Sequence, residues 1–521
     1  MKIASSKAGY FFNFLKNMKF RFLQGKNNKD FVQISDIQTQ KDMQLYEIIH
    51  KTLTRSEYNP FIRSFNKTIQ CSYLLREYIF PLQFWEDIKK QLLNFPDLIK
   101  KEDVFIEGFI NDKQIEKTKF DEWIHSIKIP EDLSIDKEEY MYQQESVLKA
   151  LNNRTARIEV ATSGGKTFIT YLYCKYIIEH KDIFKNEENK NKRILIIVPS
   201  KTLCLQLIND FADYDSLNDR KITVETIFSG SKRLYDADVV CGTYQSLREY
   251  EEDYFDDFSV MICDELHRAK AFSIRNQIYN KLKYCEFIFG MTGTFPKYNS
   301  LDYIHIVSMF GPEIVHVSAM ELIQSGVANP VKIKSIEINY FRDSVSSENA
   351  IKNIRELIPE DVFGTDKYMA EKYYFQHNEK RTNIISKFLN TFSDNSIILV
   401  DTVEYCDLLY NQLTKECPDK KFAIIHGKIK DREDIIYEMK TSAENYVIIA
   451  TFGTMSTGVS IKNLTNVYLV DCGKSDKRIR QSIGRAMRIT QGKNNSMIID
   501  FQDNIKNSTF YKHSRERLST Y

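Results

Sequence analysis

The sequence predicts an α/β protein in which two tandem parallel-sheet domains follow a small α+β N-terminal domain. From about residue 140 onward, short apolar segments alternate with helical segments, which is typical of parallel sheets covered by helices. A connector near 313–330 divides this alternation into two series. The first hundred residues lack the alternation and differ from the rest in charge. These three observations together predict three domains.

The N-terminal segment is basic and aromatic. Residues 1–100 contain 16 Lys and Arg residues against 9 Asp and Glu residues, whereas the rest of the chain contains 57 against 62. In KFRF, Lys19 and Arg21 alternate with Phe20 and Phe22, so a strand would place both basic side chains on one face. Further basic residues lie nearby: Lys16, Lys26 and Lys29. Two interpretations of this pattern stay open: a surface that grips duplex or branched DNA, and a half-buried strand with a solvated face.

The composition of the chain excludes several classes of protein. With 521 residues, a net charge of +2 and 42% hydrophobic residues, it is neither disordered throughout nor a histone-like polycation. Its nine cysteines are scattered and form no CxxC pair, which argues against a local zinc site. No apolar run approaches the roughly 18 residues that cross a bilayer. We therefore expect a soluble, cytoplasmic protein with reduced cysteines and no membrane contact.

The domain boundaries follow from changes in pattern. A polar, mixed-charge stretch near 111–139 predicts a linker, so we expect an accessory domain at 1–135 and sheet domains at 136–320 and 321–521. The predicted strands of the first series are 157–160, 194–198, 223–228, 239–241, 260–263 and 287–290, with helices at 167–180 and 202–214. The predicted strands of the second series are 332–338, 396–400, 422–425, 446–450, 466–470 and 497–500.

The segment ATSGGKT, residues 161–167, follows a predicted strand and opens a predicted helix. A phosphate chain needs backbone N–H groups at a helix N-terminus, close-packed glycines, a lysine, and a hydroxyl for Mg²⁺. The loop supplies these groups through Gly164, Gly165, Lys166 and Thr167. It departs from the strict phosphate-loop pattern at Val160, where glycine would stand. A Gly-Gly turn that merely starts a helix is the alternative interpretation.

The segment DELH, residues 264–267, begins directly after another predicted strand, 98 residues beyond Lys166. A carboxylate at a strand end can hold Mg²⁺, and a second carboxylate can orient the water that attacks a γ-phosphate. We assign the first role to Asp264 and the second to Glu265. Acidic residues often cap helices after strands, so the strength of the prediction comes from the pairing with Lys166.

The segment QSIGRAMR, residues 481–488, carries Arg485 and Arg488 three residues apart, on one face of a predicted helix. Phosphoryl transfer benefits from arginines that face the developing negative charge. A solvated basic helix would show the same residues, since further Lys and Arg residues lie close by. Gly484 lowers helix propensity by about 1 kcal/mol relative to alanine, which indicates a steric reason for it.

These three segments, in this order and spacing, resemble motifs of the superfamily 2 helicases. Between them lie segments similar to further motifs of that superfamily: Tyr142-Gln143, VPSKTLCLQ (198–206), GTYQSL (242–247), GMTGT (290–294), HGK (426–428) and ATFGTMSTGVSIKNL (450–464). Within the superfamily, the VPSKTLCLQ and STGVSIKNL stretches closely resemble those of helicases from T-even phages. The resemblance implies two RecA-like domains with ATP and Mg²⁺ in the cleft between them.

The resemblance also implies roles for individual residues. The implied catalytic residues are Lys166, Asp264, Glu265, His267, Gln481, Arg485 and Arg488. ATP would contact Tyr142, Gln143, Ser163, Gly164, Gly165, Lys166, Thr167 and Gly458, with Thr167 and Asp264 at the metal. Nucleic acid would contact Ser200, Thr243, Gln245, Thr402, His426 and Thr451. Hydrolysis would be coupled to domain movement by Thr292 and Thr294. For His267, a helix-capping core histidine is the alternative.

The leading hypothesis is an ATP-dependent DNA helicase that remodels branched DNA in recombination, repair or replication. Its expected partner is single-stranded, duplex or branched DNA, and we expect a monomer, with a small recombination protein left open as a further partner. Three alternatives stay open: a superfamily 2 RNA helicase, the motor subunit of a restriction system, and a nucleotide-gated DNA-binding module without turnover. No nuclease carboxylate cluster is evident after residue 500, which argues against the restriction motor.

Overall fold

The computed structural model describes residues 18–24, 30–35, 37–58, 68–74, 79–99, 104, 106–107, 114–130, 137–228, 236–266, 271–298, 300–340, 367–392, 394–429, 434–435, 437–438, 444–455, 464–471, 496–506, 508–519 and 521. Over these residues the chain forms a mixed four-stranded sheet, a two-stranded antiparallel sheet and two larger parallel sheets. The predicted fold class is confirmed.

The N-terminal domain is built on the mixed sheet, whose strand order is β5-β2-β1-β6. Its elements are β1 (Lys19–Leu23), β2 (Phe31–Ser35), α1 (Gln40–Leu53), β3 (Thr54–Tyr58), β4 (Thr68–Ser72), β5 (Ile79–Pro81), α2 (Trp85–Leu92) and β6 (Ile106–Glu107). Phe20 is 1% exposed and Arg21 is exposed, so β1 alternates as predicted. The Phe20 face packs into a core with α1 and α2.

The first large sheet has seven parallel strands in the order β13-β7-β12-β11-β8-β10-β9. The elements of this first sheet domain are α3 (Lys117–Ser126), α4 (Met141–Asn153), β7 (Thr155–Val160), α5 (Lys166–Glu179), β8 (Arg193–Val198), α6 (Lys201–Tyr214), β9 (Val224–Ile227), β10 (Val239–Thr243), α7 (Tyr244–Leu247), β11 (Phe258–Cys263), α8 (Ala271–Gln277), β12 (Phe287–Thr292), α9 (Leu301–Phe310), β13 (Glu313–Val317) and α10 (Ala319–Gln324).

Central strands of this sheet are apolar at most positions because helices cover both faces. In β8, Ile194 and Ile196 enter the core beneath α5 and α6, whereas Leu195 and Ile197 enter the core beneath α8 and α9. Successive side chains of a strand point to opposite faces, so continuous burial requires a continuous apolar run. This pattern made the central strands predictable.

The second large sheet has six parallel strands in the order β14-β19-β18-β15-β17-β16. The elements of this second sheet domain are β14 (Val331–Ile338), α11 (Lys367–Gln376), α12 (Glu379–Thr391), β15 (Ser396–Val400), α13 (Val403–Glu416), β16 (Lys421–Ile425), β17 (Tyr446–Thr451), α14 (Phe452–Met455), β18 (Asn466–Leu469), β19 (Ser496–Asp503) and α15 (Thr509–Leu518).

Two stretches that were expected to be connections contain regular structure. Within 111–139, α3 buries Phe120 and Trp123 in the core of the first sheet domain, and the Trp123 indole donates a 2.8 Å hydrogen bond to Glu179. Within 313–330, β13 pairs with β7 as an edge strand of the first sheet, and α10 follows it. An edge strand is only half buried, so β13 lacks the continuous apolar run of the central strands.

Over the residues that the structure describes, no helix is both long enough and apolar enough to span a membrane.

Candidate ATP site and nucleic-acid interface

The predicted ATP-site segments lie on three neighbouring strands of the first sheet. The glycine loop follows β7, GMTGT ends β12, and DELH follows β11, and the sheet order places β12 between the other two. In a parallel sheet the carboxyl ends of all strands meet at one edge, which is where such folds bind ligands. Residues as far apart in sequence as Ala161 and Thr294 therefore belong to segments that meet at this edge.

The glycine loop leaves no room for a side chain at two of its positions. Gly165 has φ +76°, and a Cβ there would lie 2.3 Å from the Gln143 amide nitrogen. A Cβ at Gly164 would lie 2.4 Å from a methyl carbon of Val160. Ser163 also has a positive φ, of 75°. The two glycines are therefore required by the loop itself, as expected for a backbone that approaches phosphate closely.

Two side chains of α4 fix this loop through hydrogen bonds to its backbone. The Tyr142 hydroxyl donates a 2.6 Å hydrogen bond to the Gly164 carbonyl, and the Gln143 amide donates a 3.2 Å hydrogen bond to the same oxygen. Burial raises the pKa of Tyr142 to about 12, so the hydroxyl keeps its proton. Gln143 is 6% exposed. Its contact is with the loop, and the reading of adenine by Gln143 stays a prediction.

Lys166 begins α5, and its ammonium donates a 3.1 Å hydrogen bond to the Val160 carbonyl. A Cβ on Gly293 would lie 3.7 Å from the Lys166 nitrogen, so the GMTGT turn passes directly beside the lysine. The turn is closed by Thr292, whose hydroxyl donates to the Thr294 carbonyl at 3.0 Å and accepts from the Thr294 N–H at 3.3 Å. Thr292 and Thr294 thus shape the turn that borders the lysine.

Asp264 and Glu265 stand at the end of β11. The Glu265 N–H donates a 2.8 Å hydrogen bond to an Asp264 carboxylate oxygen, and Glu265 has φ +53°, an uncommon conformation for a non-glycine residue. Burial and the adjacent Glu265 carboxylate raise the pKa of Asp264 to about 7, while the Lys166 ammonium opposes the shift. Strained backbone beside a perturbed carboxylate is characteristic of functional sites.

The hydroxyl residues predicted to contact nucleic acid in the first sheet domain begin helices at the same carboxyl edge. Ser200 follows β8 and caps α6 through a 3.4 Å hydrogen bond from the Leu203 N–H. Thr243 ends β10 and caps α7 through the Ser246 N–H, also at 3.4 Å. Gln245, in the first turn of α7, is exposed. Capping alone explains a Ser or Thr here, but each capped helix start also presents backbone N–H donors to anions.

The second sheet domain repeats this arrangement. Thr402 caps α13 after β15, accepting from the Tyr405 N–H at 3.4 Å. On the neighbouring strand β17, the terminal residue Thr451 precedes α14, and its hydroxyl lies 2.9 Å from that of Thr454. Because β15 and β17 are adjacent, both helix starts lie side by side at the carboxyl edge of this sheet.

His426 is placed differently from the expectation of a direct phosphate contact. It follows β16 and is 3% exposed, with Nε2 3.0 Å from an Asp407 carboxylate oxygen. Its Nδ1 accepts a 3.3 Å hydrogen bond from the Lys428 N–H. The imidazole therefore holds the turn, and the Lys428 side chain, which is 73% exposed, extends from it. Lys428, the basic residue of the HGK segment, is not among the contact residues that the sequence predicts.

Several predicted site residues lie outside the described residues, and their roles stay predictions: His267, Gly458, Gln481, Arg485 and Arg488. The same holds for three of the N-terminal basic residues: Lys16, Lys26 and Lys29.

Two parallel-sheet domains, the first with a lysine-bearing glycine loop beside an Asp-Glu pair, have the architecture of an ATP-hydrolysing superfamily 2 helicase. Family comparison agrees. Residues 116–297 match the family described as type III restriction enzyme, res subunit, and residues 379–490 match the helicase conserved C-terminal domain.

The chain belongs to the family of the phage helicase UvsW. It is 30% identical over 414 residues to the ATP-dependent DNA helicase UvsW of Enterobacteria phage T4, a match covering 77% of this chain and 75% of that protein. The crystal structure of T4 UvsW aligns with 97% of both chains at 24% identity and a TM-score of 0.44. A fragment of a putative HsdR subunit of a type I restriction enzyme from Vibrio vulnificus YJ016 aligns with 72% of this chain and 67% of its own length, at 17% identity and a TM-score of 0.50, and shares the fold.

Proposed function

We propose that this protein is an ATP-dependent DNA helicase that unwinds or remodels branched DNA in recombination, repair or replication. The observation that carries the proposal is the row of helix starts along the carboxyl edges of both sheets, three of them capped by Ser200, Thr243 and Thr402, beside the glycine loop in the first sheet. Such a row offers backbone N–H donors to successive phosphates of one strand, which positions the strand without reading its sequence. The choice of DNA is supported by the relation to UvsW, named as a DNA helicase.

In this proposal, Lys166 and the loop N–H groups hold the ATP phosphates, and Glu265 orients the attacking water. Arg485 and Arg488 would face the developing charge from the second sheet domain, with His267 and Gln481 linking the two ligands. Hydrolysis would then depend on closure of the cleft between the domains. The turn at Thr292–Thr294 borders Lys166, which supports its proposed part in coupling hydrolysis to movement.

Asp264, directly after β11, and Thr167, in the first turn of α5, are residue types that fit Mg²⁺. Carboxylates and a hydroxyl are the ligands that this ion takes at nucleotide sites, and Asp264 and Thr167 provide them. The raised pKa of Asp264 reflects two adjacent carboxylates in a poorly solvated place, which a divalent cation would relieve. When bound, Mg²⁺ would neutralise phosphate charge. Asp264 would hold it in the ionised form, and Thr167 would complete the protein's share of the ligands.

The N-terminal domain supports binding to branched or duplex DNA. Lys19 and Arg21 lie on the face of β1 opposite to Phe20, which enters the domain core. On the paired strand β2, Gln33 lies opposite Arg21 and Ser35 opposite Lys19, so polar side chains continue across this face. The two basic side chains Lys19 and Arg21 on this face would attract phosphates without sequence preference.

The test is ATPase and unwinding activity on duplex DNA, forked DNA, a Holliday junction and single-stranded RNA. We expect DNA to stimulate hydrolysis, with forked and four-way substrates unwound. Lys166→Ala should abolish hydrolysis while keeping the thermal midpoint, and Lys149→Ala on the exposed side of α4 is the matched control. Stronger stimulation by RNA would contradict the DNA assignment. Cleavage of plasmid DNA would indicate a restriction motor, and nucleotide-dependent binding without turnover a gated module.

A further inference from the structure

Arg157 is a buried charge on the strand that carries the glycine loop. It lies on β7, three residues before the strand ends at Val160, and its side chain is 1% exposed. One guanidinium nitrogen donates to the Gly311 carbonyl at the end of α9, and the other donates to the Tyr303 hydroxyl at 3.0 Å. The remaining strand positions are mostly apolar, so a charge here needs an explanation.

The ionic partner of Arg157 comes from the N-terminal domain. Asp87, in the first turn of α2, lies 3.6 Å from the Arg157 guanidinium and accepts a 3.2 Å hydrogen bond from the Tyr303 hydroxyl. The guanidinium also lies over the Phe295 ring, 5.4 Å from its centroid, and Phe295 directly follows GMTGT. The Arg157 side chain therefore contacts the N-terminal domain, α9 and Phe295, the residue after the GMTGT turn. Arg157 itself lies on β7, the strand that leads into the glycine loop.

Packing alone would already dock the N-terminal domain. Ile304 and Val307 of α9 are buried within the N-terminal core. A buried ion pair is weak evidence for stability, because desolvation of both charges offsets their attraction. Its geometry is nevertheless specific, since a guanidinium fixes the direction of each partner. The Asp87–Arg157 pair is therefore better suited to fixing the relative position of the two domains than to stabilising their interface.

A continuous path of contacts leads from the basic face of the N-terminal sheet to this pair. On β1, Phe20 lies between Lys19 and Arg21, and its ring packs edge-on against Trp85 with centroids 4.9 Å apart. Trp85 begins α2, two residues before Asp87. A displacement of β1 would thus reach Asp87 through one aromatic contact and half a helical turn.

We propose that Arg157 is a positioning residue that couples nucleic-acid engagement by the N-terminal domain to ATP hydrolysis in the first sheet domain. Nucleic acid on the Lys19–Arg21 face shifts β1 and α2, and Asp87 transfers the shift through Arg157 to β7 and its glycine loop. The two sites are then coupled because both bias the arrangement around one guanidinium. This inference rests on the proposed function, since it needs nucleic acid to stimulate hydrolysis.

The test is Asp87→Asn in the full-length protein, with Glu86→Gln as the matched control on the same turn. Asparagine keeps an oxygen for the Tyr303 hydroxyl and removes the charge that faces Arg157. Glu86 is 53% exposed. We expect Asp87→Asn to keep the rate without nucleic acid and the KM for ATP within about twofold. Its maximal stimulation by forked DNA should fall at least fivefold, and Glu86→Gln should behave as the wild type.

A merely structural role predicts a different result. Loosened docking would lower the thermal midpoint and raise the DNA concentration needed for half-maximal stimulation, with the maximal rate unchanged. That outcome would overturn the proposal.

Arg157→Lys is the second variant. It keeps the positive charge but loses the planar guanidinium with its two terminal donor nitrogens, so it should lose stimulation as Asp87→Asn does. When Asp87→Asn and Arg157→Lys are combined, the maximal stimulation by forked DNA should fall no further than in either single variant. If the wild type responds to no nucleic acid, the proposed function fails as well. If the wild type responds and Asp87→Asn responds equally, only the coupling fails.

Discussion

The hydroxyl of Tyr142 donates a 2.6 Å hydrogen bond to the carbonyl oxygen of Gly164, which ties helix α4 to the predicted phosphate loop. The loop is thus held in shape by a side chain that precedes it by 22 residues. Gln143 shares the same acceptor at 3.2 Å. Because the loop already has its shape before ATP binds, little conformational entropy is lost in ordering it around the phosphates.

Tyr142→Phe should weaken ATP binding. The change removes one hydrogen bond, worth about 1 kcal/mol, so we expect the KM for ATP to rise about fivefold with a smaller effect on kcat. Steady-state ATPase kinetics at saturating nucleic acid measure both constants. Tyr140→Phe, two residues earlier, is the control and should leave the KM unchanged. An unaltered KM in Tyr142→Phe would show that the loop keeps its shape without this bond.

Gly165→Ala should abolish most ATPase activity. Its φ of +76° disfavours alanine, and the new methyl group would collide with the Gln143 amide at 2.3 Å. We expect kcat/KM for ATP to fall by more than about tenfold. Gly326 provides the matched control, since it has φ +78° and a Cβ added there would meet no atom within 4 Å. Gly326→Ala should lose about 1 kcal/mol of unfolding free energy and keep its ATPase activity. Equal ATPase activity in both variants would contradict the steric argument.

The interface around His305 should make stability depend on pH. Burial lowers the pKa of His305 to about 4, and the Arg275 guanidinium adds to this effect. The Tyr73 hydroxyl of the N-terminal domain lies 2.7 Å from Nδ1 and also accepts from Ser308 at 3.1 Å. Since the unfolded chain protonates this histidine near pH 6.5 and the folded chain only near pH 4, stability is full above pH 6.5 and is lost as the pH falls toward 4.

Between pH 7 and pH 5, this histidine alone should lower the free energy of unfolding by about 2 kcal/mol. Urea unfolding at both pH values measures the change. His305→Asn places an amide near the position of Nδ1 and cannot be protonated in this range, so its loss of stability between the two pH values should be correspondingly smaller. Identical pH dependence in wild type and variant would show that His305 is not the titrating group.

Arg21→Glu should weaken binding to duplex and forked DNA. Reversal of one charge on the exposed face of β1 should lower affinity about tenfold at moderate salt and reduce the slope of log Kd against log salt concentration by about one. Fluorescence anisotropy across a salt series gives both numbers. Lys41→Glu, at the exposed start of α1, has the same charge change away from this face. If Lys41→Glu weakens binding as strongly as Arg21→Glu, only net charge matters.

Some features of the fold required the three-dimensional pairing of strands. The segment EIVHV of β13 has Glu313 and His316 on the half-exposed edge, so its sequence lacks the apolar run that marked β8 and β11. Helix α3 did carry a readable signal, because Phe120, Trp123 and Ile124 have the i, i+3, i+4 spacing of a buried helix face. The charged residues around them favoured the linker interpretation instead.

Local pattern was enough to predict the two parallel sheets, because burial on both sheet faces demands apolar residues in short segments. Motif spacing pointed to the glycine loop and the Asp264–Glu265 pair as one site, and their roles in ATP hydrolysis stay predictions. The anchoring of Gly164 by Tyr142, the burial of His426 and the Asp87–Arg157 contact were decided by tertiary structure alone. Each of these joins side chains through space, and no local rule of propensity or periodicity constrains which distant residue will supply the partner.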